Sequence, residues 1–119
     1  MITTKQVADQ LVARCRTGKV EEAKVEFFTE ETMSIEPAEG LLPKETKGLQ
    51  AIRQKAELFI SMVDEFYGIT ITEPVIAGDY FSIGWETDIK MKGEDRKLTN
   101  EICLYRVNNG KIISEQFFY

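Results

Sequence analysis

The sequence predicts an α+β domain in which three N-terminal helices cover one face of a curved antiparallel sheet, giving a cone. Two observations predict it. Apolar residues recur every three or four positions as far as Gly68, and beyond it they recur every second position, with β-branched and aromatic side chains taking over. Helices first and long strands afterwards place the helices together on one face of the sheet.

The first helix opens at Thr3, which with Gln6 has the spacing of a capping box, and Ile2 and Val7 are placed to staple its entry. Val7, Ala8, Leu11, Val12 and Cys15 form its apolar stripe, and Gly18 supplies a left-handed stop. A second helix runs from Val20 to about Phe28 and buries Val20, Ala23 and Phe27. Thr32 to Glu36 is an extended piece closed by Pro37, and Ala38 to Lys47 is a loop. The third helix carries Leu49, Ile52, Ala56, Phe59, Ile60 and Val63 as a core stripe and ends near Tyr67-Gly68. Four strands follow, Ile69 to Ala77, Tyr80 to Lys92, Lys97 to Val107 and Lys111 to Tyr119, joined by turns at Gly78-Asp79, around Gly93 and at Asn109-Gly110. Strands this long curl, and Gly84 is where the second bends most cheaply.

With 119 residues, 43% apolar and 29% charged, and no linker or repeat, residues 1–119 form one folded domain. No apolar run approaches the roughly 18 residues that cross a bilayer, and the first residues carry no secretory pattern. The expectation is a cytoplasmic protein, with Cys15 and Cys103 as buried free thiols. A net charge of −5 with scattered basic residues argues against nucleic acid as a partner. The chain has no histidine, which removes the usual nucleophile systems and the commonest transition-metal ligand. No cofactor or metal is expected, and proton chemistry falls to carboxylates, tyrosines, lysines or a thiol.

Alternate side chains of a strand point to opposite faces. Phe81, Ile83, Trp85, Ile89 and Met91 make one apolar face, so Trp85 points toward the helices, as a pocket wall or as plain core. In the last strand Glu115 shares a face with Ile113, Phe117 and Tyr119, opposite Ile112, Ser114, Gln116 and Phe118, and alternation does not choose between them. The third strand is apolar on both sides, Leu98, Ile102 and Leu104 against Cys103, Tyr105 and Val107. That two-sidedness predicts a homodimer through the outer sheet face.

Several segments carry a resemblance: Thr17 to Ala23 between the first helices, Phe28 to Thr32, Ile35-Glu36-Pro37, Lys47 to Ile52 and Asn109 to Ile113. In this order and spacing the chain resembles the nuclear-transport-factor-2-like (cystatin-like) superfamily along its whole length. Within it, the chain resembles the SnoaL-like proteins, which include polyketide cyclases and are related to ketosteroid isomerase. The resemblance implies a pocket between sheet and helices, with Trp85, Glu101, Cys103, Tyr105, Glu115, Phe117 and Tyr119 facing it. It also implies that Glu36 stands where the isomerases keep their general base. The isomerase tyrosine falls at Leu11 and its proton-donating aspartate near Cys103, so steroid isomerisation is not implied. The expectation is a pocket for a small, apolar, oxygen-bearing organic molecule. Glu36 would be the base, Glu115 or Glu101 the acid and Tyr105 an orienting donor, for isomerase, cyclase or dehydratase chemistry. The rival is a non-enzymatic dimeric binding or interaction domain whose interior is filled by Trp85, Phe59 and Phe117.

Overall fold

A computed structural model describes residues 2–119. Three helices, α1 (Thr4–Arg16), α2 (Val20–Phe27) and α3 (Leu49–Ser61), pack on a curved, unclosed sheet of seven strands. The strands are β1 (Phe28–Ile35), β2 (Glu45–Lys47), β3 (Val63–Ile71), β4 (Val75–Ala77), β5 (Tyr80–Met91), β6 (Lys97–Asn108) and β7 (Lys111–Phe118). Their order is β2-β1-β7-β6-β5-β3, with β4 on the same edge of β5 as β3. Neighbours run antiparallel except β1 and β7, which are parallel.

The capping box at Thr3 forms in both directions, the Thr3 hydroxyl accepting from the Gln6 N–H and the Gln6 side chain from the Thr3 N–H. The stripe it starts, Val7, Leu11 and Val12, packs into a core with Ile71, Phe81, Ile83, Tyr105 and Val107. Asn109 and Gly110 both take positive φ, as the expected two-residue hairpin turn requires.

Several boundaries differ from the sequence expectation. The third helix ends at Ser61 rather than near Gly68, and Val63 to Phe66 already belong to β3. Register shifts between Val63 and Glu65 and between Phe66 and Gly68 break the period of two, leaving nothing in the sequence to mark a strand. The strand expected over Ile69 to Ala77 is two strands, interrupted by Glu73 and Pro74. Thr72 bridges the break, its N–H donating to the Gly84 carbonyl (3.0 Å) and its Oγ1 accepting from the Gly84 N–H (2.7 Å). A side chain at Gly84 would sit 2.9 Å from Thr72 Cγ2, so the glycine serves a close approach. The first strand starts at Phe28, directly after α2, and the expected loop contains β2. Of the α3 stripe only Ile52 is buried; Phe59 is exposed because it borders a cavity instead of core, and Ile60 is exposed without lining that cavity.

Candidate functional site

The register of the sheet assembles the site. Glu115 on β7 stands opposite Tyr105 on β6, which stands opposite Phe81 on β5, and the parallel partner of Glu115 on β1 is Ser34. The next row joins Ile83, Cys103 and Phe117, and the one after it pairs Trp85 with Glu101. Along β1 and the residue just past its end the alternation Thr32, Ser34, Glu36 is buried, so Ser34 and Glu36 point to the same side. The row expected on β7 is corrected in one place. A bulge shifts the pairing from Arg106–Ser114 to Val107–Ile112, so Ile112, fully buried, joins Glu115 on the inner side in place of Ile113.

Between this face and the helices lies a cavity of about 880 Å³. Glu36, Glu101 and Glu115 line it, and so do Trp85, Phe59, Cys103, Tyr105, Phe117 and Tyr119, all nine residues singled out in the sequence. The three large aromatics Trp85, Phe59 and Phe117 border the space and do not fill it, and the volume falls in the range of small-molecule sites. Leu11 and Cys103, where the isomerase donors would stand, line it with an isobutyl group and a thiol.

One end of the cavity is polar and continuously hydrogen bonded. The Tyr119 hydroxyl donates to Glu36 Oε1 (2.6 Å), and Lys55 Nζ donates to Glu36 Oε2 (2.9 Å) and to Ser34 Oγ (2.6 Å). The Ser34 hydroxyl in turn donates to Glu115 Oε1 (2.7 Å). Glu101 stands apart, with the Cys103 sulfur 3.7 Å from its Oε1. Sequence reasoning missed Lys55, Ser34 and Lys24, which also lines the cavity. Lys55 had a signal: it lies three residues after Ile52 and four before Phe59, within a stripe otherwise read as apolar.

Burial sets the protonation of this site. It pushes the Glu115 carboxyl above the usual carboxylate range, against the Ser34 hydroxyl and the ammonium groups of Lys24 and Lys55, which act the other way. Glu101 is pushed up to about 7, by burial first and by the charge of Glu36 second. Burial also raises the Cys15 thiol to about 11, raises Cys103 further, and holds the Tyr105 phenol well above its ordinary value. The thiols are therefore inert packing groups. Tyr105 stacks on Phe81 with ring centroids 4.8 Å apart.

Residues 2–119 match the SnoaL-like domain family. The chain belongs to that family. This SnoaL-like domain is similar to a protein from Mesorhizobium loti provisionally named a SnoaL-like polyketide cyclase, with 28% identity and a TM-score of 0.93 over 99% of this chain and 100% of the other. It is also similar to TerC co-crystallised with polyporic acid, at 12% identity and a TM-score of 0.78 over 98% and 92%. A third is a hypothetical protein of ketosteroid isomerase-like fold from Catenulispora acidiphila, in complex with trimethylamine, at 21% identity and a TM-score of 0.72 over 98% and 87%. Proteins with cystatin-like and nuclear-transport-factor-2-like folds share the architecture as well. No curated protein matches the SnoaL-like chain. Among the described residues no helix is long and apolar enough to cross a membrane.

Proposed function

We propose that the cavity binds a small, largely apolar organic molecule bearing oxygen, and that its carboxyl groups move a proton next to that molecule's carbonyl. The observation that carries this reading is an open, aromatic-walled cavity with ionisable groups gathered where β1, β7 and α3 meet. Complexes of TerC with polyporic acid and of the Catenulispora protein with trimethylamine show that the fold accommodates small organic molecules. Glu36 is the base. Glu101 is the acid, because a carboxyl at about 7 holds and releases a proton near neutrality. Glu115 is a poorer acid, since it is only 5% exposed and already engaged by Ser34. Tyr105 orients the ligand oxygen. The reaction is then of the isomerase, cyclase or dehydratase type, in a domain that works in the reducing cytoplasm, where Cys15 and Cys103 remain thiols.

A thermal-shift screen of small ketones, quinones and polyketide fragments tests the binding, and at least one class is expected to raise the melting temperature by several degrees. Glu36→Gln and Glu101→Gln should then each slow turnover of that compound by at least tenfold, within the usual contribution of a positioned acid or base. Unchanged turnover in both variants would refute the assigned roles, and a screen without any stabilising compound would refute the binding.

We also propose that a second copy of the chain covers the outer sheet face. Leu98 and Ile102 are 60% and 50% exposed there, and Phe118 stands opposite Ile102 on the next strand. Asp64 and Asp88 are already paired with Lys90 and Arg96, so these acids do not repel an identical face. Light scattering at micromolar concentration should give twice the monomer mass, and Ile102→Lys should return it to the monomer.

A further inference from the structure

The polar end of the cavity is built around a cation. Lys55 has a side chain only 9% exposed, and it projects from α3 among Ile52, Ala56 and Phe59 into the cavity. An ammonium has three N–H donors. Two go to Glu36 Oε2 and Ser34 Oγ, and Nζ also lies 5.3 Å from the centre of the Phe117 ring, a cavity wall. One donor is left for whatever enters.

The charges around it bear on what can enter. Lys24, 15% exposed and paired with Glu21, is a second cation lining the cavity, and the exposed Lys92 and Lys97 also line it, Lys97 paired with the lining Glu94. Glu36 is matched to Lys55, while Glu101 and Glu115 are held toward their neutral forms. Among the four lysines and four glutamates that line the cavity, Lys55 is thus the buried cation with a donor to spare.

We propose that Lys55 is the specificity-determining residue of the cavity, and that the ligand is an aromatic or otherwise apolar organic acid whose phenolate, enolate or carboxylate oxygen takes the remaining Lys55 donor. This rests on the reading of the cavity as a ligand site and deepens it by naming the charge class. The arrangement also supplies what a proton abstraction beside a carbonyl requires, a fixed positive donor where negative charge collects on oxygen. Lys55 does this in place of the hydroxyl or carboxyl donors that Leu11 and Cys103 do not provide.

The test uses matched probes with and without the acidic oxygen, 4-nitrophenol against nitrobenzene and 2-naphthoate against naphthalene, titrated into the full chain near pH 6. The oxygenated member of each pair is expected to bind at least tenfold more tightly. The visible absorbance of bound 4-nitrophenol should be that of the phenolate at a pH where the free compound is largely neutral. Lys55→Met should abolish both the preference and the phenolate signal, and Lys55→Arg should keep them. If Lys55→Met does not fold, Lys55→Met/Glu36→Gln, which leaves no unpaired buried charge, gives the same readout. Equal binding within each pair, or a phenolate signal surviving the loss of Lys55, overturns the assignment to Lys55 while leaving the ligand site standing. Failure of all four probes to bind at millimolar concentration overturns both.

Discussion

Lys55→Met should destabilise the protein by about 3–5 kcal/mol in urea unfolding, the usual cost of removing one partner from a buried ion pair. Both members of the Lys55–Glu36 pair are nearly enclosed, 9% and 7% exposed, and Glu36 would be left with the Tyr119 hydroxyl as its donor. Most of this cost is the stranded carboxylate, because desolvation of an unpaired charge exceeds the attraction that is lost. Lys55→Met/Glu36→Gln should therefore recover the larger part of the lost stability, since an amide needs no counter-ion. If the double variant is as unstable as the single one, the pair's role in the fold is packing and not charge compensation.

The second large effect is on pH dependence. The Glu101 carboxyl has an ordinary value of 4.5 and stands at about 7 in the folded chain, raised by burial and by Glu36. Glu115 adds a smaller push, and the Cys103 thiol and Lys55 oppose it. The native state thus keeps a proton that the unfolded chain gives up, so stability is fully present below pH 4.5 and falls as the pH rises through 7. The loss from this one group is at most about 3 kcal/mol, less to the extent that water reaches it from the cavity. Glu101→Gln should remove most of the slope between pH 5 and 7 and should be more stable than the parent at pH 8. Glu115, shifted in the same direction, leaves a residual slope in that variant. A parent whose unfolding free energy stays flat or rises across this window would show that Glu101 is ionised throughout.

The first helix was the most legible part of the sequence, because Thr3, Gln6 and Gly18 carry local chemistry that marks where it starts and stops, whereas nothing comparable marked the end of the third at Ser61. The long strand β5 was legible because its alternation is unbroken, and β6 because β-branched and aromatic residues run between two turn signals, although both of its faces are apolar. β3 was not, because two register shifts in nine residues remove the period that identifies a strand. Glu115 illustrates the limit at the site. Its inward direction depends on the bulge beside Ile113, which is a property of the pairing between β6 and β7 and leaves no trace in β7 alone. Lys55 was hidden differently. A lysine on an amphipathic helix reads as solvated surface until the partners Ser34 and Glu36, brought from another strand, show that it points inward.

The parallel seam between β1 and β7 has a kinetic meaning. Ser34 and Glu115 are separated by 81 positions along the chain, and Glu36 and Tyr119 by 83. Loops of that span close late, after local hairpins have formed. The hairpins of β5, β6 and β7 can form early from neighbouring chain, but the hydrogen-bonded row that ends in Tyr119 cannot exist until the first strand zips onto the last. Whatever this cavity does therefore depends on contacts between the two ends of the chain, and a chain in which they have not met lacks the polar row altogether.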